Sequence, residues 1–162
     1  MNSLVLAIDG PSGSGKSSTA KSLAMRANWS YLDTGALYRA ATYLALRDST
    51  MDEGNLYKKI VQSEIKFNCS PKDPKIYLDG VDITEEIRFQ RINDQVSIVS
   101  AMPSIRQHLL NLQRKYISDA PVGIVVEGRD IGTVVAPNAP LKIYLHADLN
   151  AVSYTHLRAH ET

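Results

Sequence analysis

The chain has 162 residues, 44% hydrophobic and 22% charged, which is enough for one domain with a core and too few for two full-sized domains. Its formal net charge of +1 gives the whole chain no bias toward polyanions, so a long nucleic acid is not indicated as a partner. With a single cysteine, no secretory leader pattern and no long apolar stretch, it is expected to be cytoplasmic and to have no membrane partner.

The first predicted element is a buried strand, from the apolar run at residues 4–8. It leads into a glycine-rich segment with the spacing of a P-loop, and residues 18–27 then have a helical pattern. In such a loop the backbone N–H groups surround a phosphate, Lys16 reaches the β- and γ-phosphates, and the Ser17 hydroxyl ligates Mg²⁺. A flexible glycine-serine turn is the alternative, but the flanking strand and helix favour a triphosphate site. The residues expected to form it are Gly10, Pro11, Ser12, Gly13, Ser14, Gly15, Lys16, Ser17 and Ser18.

The second predicted strand, residues 29–32, ends at Asp33-Thr34-Gly35, and residues 36–47 have the apolar spacing of a helix. Strand and helix alternating at short spacing are typical of βαβ units. The sequence therefore predicts an α/β protein with the parallel sheet and three layers of P-loop NTPases.

The pattern changes between residues 60 and 91. Residues 65–69 and 75–78 alternate between polar and apolar side chains, Asp79-Gly80 has the composition of a turn, and residues 81–83 resume the extended pattern. This predicts that residues 60–91 form a small antiparallel element that is able to move as a unit. It is inserted into a core domain that we assign to residues 1–151.

Helical spacing returns from residue 92 to 118, with a break at Pro103, a residue suited to the first turn of a new helix. Two further strands are predicted at residues 123–126 and 141–145, and the first is followed by Glu127-Gly128-Arg129-Asp130. Ligands of parallel sheets bind beyond the carboxyl ends of the strands. We therefore expect the polar groups after the strands at 4–8, 29–32 and 123–126 to line one cleft.

Three arginines are candidates for this cleft, but none is informative alone. Arg39 lies one helical turn beyond Gly35, and a solvated surface charge is the alternative. Arg129 follows a strand, and an internal ion pair holding its loop is the alternative. Arg106 by itself has the character of a surface charge.

Several separate motifs together resemble the bacterial cytidylate kinases. They are Ala7-Ile8-Asp9-Gly10-Pro11-Ser12-Gly13, Tyr31-Leu32-Asp33-Thr34-Gly35-Ala36-Leu37-Tyr38-Arg39 and Glu127-Gly128-Arg129-Asp130-Ile131-Gly132-Thr133-Val134-Val135, with the insert and Ile105-Arg106 in matching order. The resemblance covers residues 4 to 148. It implies ATP-dependent and Mg²⁺-dependent phosphorylation of CMP or dCMP to the diphosphate.

The resemblance also implies roles for individual residues. Thr34, Arg39 and Arg129 would hold the acceptor monophosphate, and Ser97, Arg106 and Asp130 would contact the cytosine edge. Lys16, Arg39 and Arg129 would act on the transferred phosphoryl group, and Glu127, at a position that is often Asp, would orient Mg²⁺-bound water. The insert would be the monophosphate-binding subdomain.

These residue types suit the implied reaction. An acceptor such as Asp130 can take the cytosine amine, whereas uracil would present a carbonyl oxygen to it and leave buried acceptors unpaired. Phosphoryl transfer needs mainly alignment and charge stabilisation, so no general base is assigned. A UMP/CMP kinase of broader specificity and a non-catalytic P-loop module remain as alternatives.

The C-terminal segment departs from the family pattern. Residues 152–162 do not resemble the arginine-rich lid that family members carry, and we expect them to be a non-native tail on a C-terminally truncated chain. Because a lid excludes water and supplies arginines, weak or absent activity is expected of this polypeptide. A monomer acting on small molecules, without nucleic acid polymer, is the expected state.

Overall fold

The computed structural model describes residues 4–146. Its strands and helices follow one another in the order β1 (Leu4–Asp9), α1 (Lys16–Ala27), β2 (Ser30–Asp33), α2 (Thr34–Arg47), α3 (Glu53–Gln62), β3 (Ile65–Asn68), β4 (Lys75–Leu78), β5 (Val81–Asp82), α4 (Gln90–Ser100), α5 (Pro103–Asp119), β6 (Gly123–Gly128) and β7 (Leu141–Tyr144). A 3-10 turn at Glu86–Arg88 and a π-helical turn at Ile131–Val135 complete the described elements.

The main sheet is parallel and has the strand order β2-β6-β1-β7. Every residue of β6 is buried, and successive side chains of a strand point to opposite faces, so both faces of the sheet are covered at its centre. The apolar run Ile124-Val125-Val126 is what such a central strand requires. The predicted α/β fold with a parallel sheet is confirmed.

Helix α2 presents an apolar face to the core. Its buried residues include Ala36, Leu37, Ala40, Ala41 and Leu44, which recur at helical spacing on one face. The helix begins two residues earlier than the sequence pattern predicts, because the side chain of Asp33 caps it by accepting a hydrogen bond from the backbone N–H of Ala36 at 3.3 Å.

The residues between α3 and α4 form a separate antiparallel sheet in the order β3-β4-β5. Its inner face pairs Ile65 with Leu78 and Phe67 with Ile76, and all four side chains are buried. β3 and β4 pack against α2. The predicted antiparallel element is confirmed, while its independent movement as a subdomain of residues 60–91 stays a prediction.

Besides the earlier start of α2, two details differ from the sequence prediction. Helix α3 was not predicted, although Asp52 caps it by accepting from the N–H of Asn55 at 3.1 Å, and Leu56 and Ile60 are buried one turn apart. β6 continues to Gly128, so Glu127 lies within the strand instead of in the loop after it. Within residues 4–146, no helix is both long and apolar enough to cross a membrane. The predicted tail at residues 152–162 lies outside the described residues.

Candidate active site

The carboxyl ends of β1, β2 and β6 open onto one cleft of about 1410 Å³. Besides the P-loop, its walls come from the start of α2, from α4 and α5, and from the turn after β6. The cleft brings together all the residues predicted to bind the acceptor, namely Thr34, Arg39, Ser97, Arg106, Arg129 and Asp130. From the predicted triphosphate site it is lined by Pro11, Ser12, Gly13, Gly15, Lys16, Ser17 and Ser18.

The P-loop uses its glycines for two different purposes. Gly13 and Gly15 have φ angles of 79° and 80°, a left-handed conformation that side chains disfavour. Gly10 does not line the cleft, and a Cβ there would lie only 2.8 Å from the carbonyl oxygen of Leu145. Ser14 does not line it either, and its hydroxyl donates back to the carbonyl of Pro11 at 2.7 Å.

Lys16 lies over the loop that it belongs to. Its Nζ donates to the carbonyl oxygen of Gly10 at 2.8 Å, which keeps the ammonium group at the cleft wall beside the loop's backbone N–H groups. The charge is therefore already close to the position at which a bound phosphate would be neutralised.

A hydroxyl and a buried carboxylate lie side by side where the P-loop lines the cleft. The Ser17 hydroxyl donates to Oε1 of Glu127 at 2.6 Å, and the Tyr31 hydroxyl donates to Oε2 at 2.7 Å. Glu127 is only 3% exposed, and this burial, together with the nearby charge of Asp33, raises the pKa of its carboxyl above the ordinary glutamate value.

This pair suits Mg²⁺, which takes oxygen ligands and is usually held by one or two protein groups together with water and substrate phosphates. In the described part of the chain, no group of three or more His, Cys, Asp and Glu side chains is arranged to hold a metal ion. A single hydroxyl with a neighbouring carboxylate therefore fits an ion shared with a nucleotide better than an ion held by protein alone.

Two residues of α2 that are predicted to bind the acceptor, Thr34 and Arg39, are held by hydrogen bonds to other elements. The hydroxyl of Thr34, which is 4% exposed, donates to the backbone carbonyl of Glu127 at 2.9 Å. The partly buried Arg39 donates from Nη1 to the carbonyl of Ile87 at 3.3 Å and to Oδ1 of Asn93. These contacts argue against a solvated surface role for Arg39.

The remaining predicted acceptor residues present exposed polar groups to the cleft. Arg129 and Asp130 follow β6, Ser97 lies on α4, and Arg106 lies on α5. Among the ion pairs formed within residues 4–146, none includes Arg129 or Arg106, so the alternative of an internal ion pair for Arg129 is not supported.

The turn after β6 is anchored by Asp9, a residue to which the sequence analysis gave no role. Asp130 has a φ of 58°, an uncommon conformation for a residue other than glycine. The carboxylate of Asp9 accepts from the N–H of Ile131 at 2.7 Å and from the N–H of Gly132 at 2.9 Å. These bonds fix the backbone directly after Asp130 and so help to aim its side chain. The only sequence signal is that an acid directly precedes the P-loop.

Comparison with known proteins shows the family of the chain. The family model "Cytidylate kinase" matches residues 6–158. The chain belongs to the cytidylate kinase family. It is 41% identical over 149 residues to the cytidylate kinase of Magnetococcus marinus, covering 91% of this chain and 65% of that protein. It is 42% identical over 153 residues to the enzyme of Streptococcus thermophilus, covering 93% and 67%, and 47% identical over 150 residues to that of Streptomyces coelicolor, covering 91% and 65%.

The chain thus spans about two thirds of the length of these curated cytidylate kinases, 65% for the relative from Magnetococcus marinus. The recognition of the family from the motifs is confirmed by these matches.

Three further residues of this cytidylate kinase family member line the cleft and were missed in the sequence. Asn93 holds Arg39, as described above. Burial raises the pKa of the Asp33 carboxyl above its ordinary value, and the positive charge of Arg88 partly opposes that rise. Gln113 is 1% exposed, and its Nε2 has no hydrogen-bond partner among the described residues. Single polar residues on helices carry no sequence signal that separates them from surface positions.

Proposed function

We propose that this protein transfers the γ-phosphoryl group of ATP to CMP or dCMP, giving CDP or dCDP. One observation carries the proposal: a single cleft of about 1410 Å³ joins the P-loop to the predicted monophosphate and base residues. Membership of the cytidylate kinase family supports it. Since the chain spans about two thirds of its relatives' length, the activity of the whole protein is a proposal.

On the donor side, the P-loop from Gly10 to Ser18 would surround the ATP phosphates. The backbone N–H groups of its cleft-lining residues other than Pro11, which has none, would bind the phosphate oxygens, and Lys16 would neutralise the β- and γ-phosphates. Ser17 would ligate Mg²⁺ directly and Glu127 would act through a metal-bound water. Bound Mg²⁺ would neutralise charge on the β- and γ-phosphoryl oxygens. The 2.6 Å contact between Ser17 and Glu127 supports this assignment, because the two groups are already adjacent.

On the acceptor side, Thr34, Arg39 and Arg129 would hold the monophosphate, and the two arginines would also stabilise charge on the transferred group. Ser97, Arg106 and Asp130 would contact the base. An ionised carboxylate such as that of Asp130 accepts hydrogen bonds and donates none, so it suits the amino group of cytosine and opposes the carbonyl oxygen of uracil. The left-handed backbone at Asp130, fixed by Asp9, supports a preset orientation for this contact.

We further propose that the protein works in the cytoplasm as a monomer on these small molecules, without a membrane or a nucleic acid polymer as partner. The net charge of +1 supports the last point, because long nucleic acids are bound mainly through positive charge.

The test compares CMP, dCMP, UMP and AMP as acceptors with ATP and Mg²⁺ in a coupled assay. Calorimetry of nucleotide binding is run beside it, so that binding is measured independently of turnover. Formation of CDP and dCDP that is faster than turnover of the other acceptors, together with tighter binding of CMP and dCMP, supports the proposal. Similar values for UMP favour the broader pyrimidine kinase, binding without CDP formation favours the non-catalytic module, and equal turnover of AMP contradicts the proposal.

Two variants test the base contact. Asp130→Ala should lose most of the preference for CMP over UMP, because the acceptor for the cytosine amine is gone. Asp119→Ala, which removes an exposed acid at the end of α5, is the matched control and should keep that preference. An Asp130→Ala protein with undiminished preference would remove Asp130 from the proposed site.

A further inference from the structure

Tyr31 is a buried tyrosine that has no role in the proposed reaction as described above. It lies in β2, is 2% exposed, and donates its hydroxyl hydrogen to Oε2 of Glu127 at 2.7 Å. Its hydroxyl therefore contacts the same carboxylate that receives the Ser17 hydroxyl on its other oxygen.

The ring of Tyr31 is fixed by the antiparallel insert. Its backbone N–H donates to the carbonyl of Cys69, just after β3, at 2.8 Å. Its ring meets that of Phe67 at a centroid distance of 6.0 Å and an angle of 59°, a tilted arrangement that aromatic pairs favour. With backbone and ring both held, the hydroxyl has one well-defined position.

Glu127 needs such a partner more than a shorter acid would. A glutamate has one more rotatable bond than an aspartate, so its carboxylate can occupy more positions unless something holds it. Burial also makes the charged form costly unless both oxygens accept hydrogen bonds. Ser17 supplies one donor and Tyr31 the other.

We infer that Tyr31 is a positioning residue for the donor site: its hydroxyl fixes Oε2 of Glu127, so that Oε1 is held beside the Ser17 hydroxyl where the water shell of Mg²⁺ would lie. The inference rests on the proposed function for the role of Mg²⁺. The residue acts through Glu127 and contacts neither nucleotide nor metal in this scheme. The alternative is a tyrosine that only fills the core.

The hydroxyl group separates these two roles, because phenylalanine keeps the ring and its packing. The experiment measures ATP binding by calorimetry, with saturating Mg²⁺ and separately with EDTA, for the unchanged chain, Tyr31→Phe and Tyr57→Phe. Tyr57→Phe removes a hydroxyl from a tyrosine that is 40% exposed on α3, away from the cleft-lining residues, and is the matched control.

For Tyr31→Phe we expect about tenfold weaker binding of ATP with Mg²⁺, which is what loss of one hydrogen bond to a charged group typically produces. In EDTA, Tyr31→Phe should bind ATP with the same affinity as the unchanged chain. Tyr57→Phe should match the unchanged chain in both conditions. Equal affinity with Mg²⁺, or an equal loss with and without Mg²⁺, would overturn the inference, because neither result involves the metal.

A second measurement needs no nucleotide and keeps the inference testable if ATP binding is too weak to follow. Urea unfolding of the unchanged chain, Tyr31→Phe, Glu127→Gln and the double variant forms a double-mutant cycle. The unfolding constant of Tyr31→Phe should rise about tenfold, and that rise should shrink clearly in the Glu127→Gln background, where no charged acceptor is left. An identical rise in both backgrounds would overturn the inference. A chain that binds no ATP at all counts against the proposed function, and the cycle then decides the role of Tyr31.

Discussion

Replacing Gly128 by alanine should strongly destabilise the junction between β6 and α2. Gly128 does not have a positive φ, so the penalty is steric. A Cβ at this position would lie 2.0 Å from Oγ1 of Thr34 and 2.9 Å from Cδ1 of Ile131, both too close for an ordinary contact. Thr34 would have to move, and it would lose the 2.9 Å hydrogen bond to the carbonyl of Glu127.

The magnitude follows from these two losses. Overpacking of a core position costs about 1–3 kcal/mol, and loss of the hydrogen bond adds about 1 kcal/mol. We therefore expect Gly128→Ala to lower the free energy of unfolding by about 2–4 kcal/mol. In urea denaturation this lowers the transition midpoint by about 1–2 M, for the slope expected of a small protein.

Two further variants make the test specific. Gly54→Ala is the matched control, since its Cβ would lie 3.6 Å from Oδ2 of Asp52 within helix α3, where alanine is favoured over glycine by up to about 1 kcal/mol. Thr34→Ala in the Gly128→Ala background removes the closest clash, so the double variant should be more stable than the sum of the single effects. A Gly128→Ala protein with the midpoint of the Gly54→Ala control would refute the steric argument.

Three other changes have defined outcomes. Asp9→Ala should lower the free energy of unfolding by about 2–4 kcal/mol and weaken CMP binding, because the N–H groups of Ile131 and Gly132 lose a charged acceptor. Urea denaturation measures the first effect and calorimetry the second. Unchanged values would show that the turn is stable without Asp9. Gln113→Leu should raise the free energy of unfolding by about 1 kcal/mol, since it removes a buried unpaired donor, and a less stable variant would mean that the amide has a partner in solution. Glu127→Gln tests the raised pKa of the Glu127 carboxyl, which means that the folded protein holds this proton more tightly than the unfolded chain. The contribution of this group to the stability of the fold is therefore complete below the unfolded pKa and is lost as pH rises through the native pKa. The stability of Glu127→Gln relative to the unchanged chain should therefore increase from acidic to neutral pH in urea denaturation, and a decrease would contradict the sign of the shift.

Local patterns of the sequence were sufficient to predict most helices and strands and the P-loop. The P-loop is contiguous, so its glycines, Lys16 and Ser17 are recognisable from spacing alone. Helix α3 was equally accessible, since the cap at Asp52 and the buried pair Leu56 and Ile60 are local features, and its omission was an error of pattern assignment. The end of β6 was placed too early because Glu127, a charged residue, was taken to end an apolar run.

The sequence by itself determined the α/β class, the phosphate loop and the family, because these depend on residues close together in the chain or on whole motifs. Only the tertiary structure decided which side chains meet. Glu127 lies 110 residues from Ser17 and 96 from Tyr31, and Asp9 lies 122 from Ile131. These contacts exist because the sheet order sets β6 between β2 and β1, so that three distant strand ends open onto one cleft. Burial at that point also raises the pKa of Glu127, a property that depends on its surroundings and not on its place in the sequence.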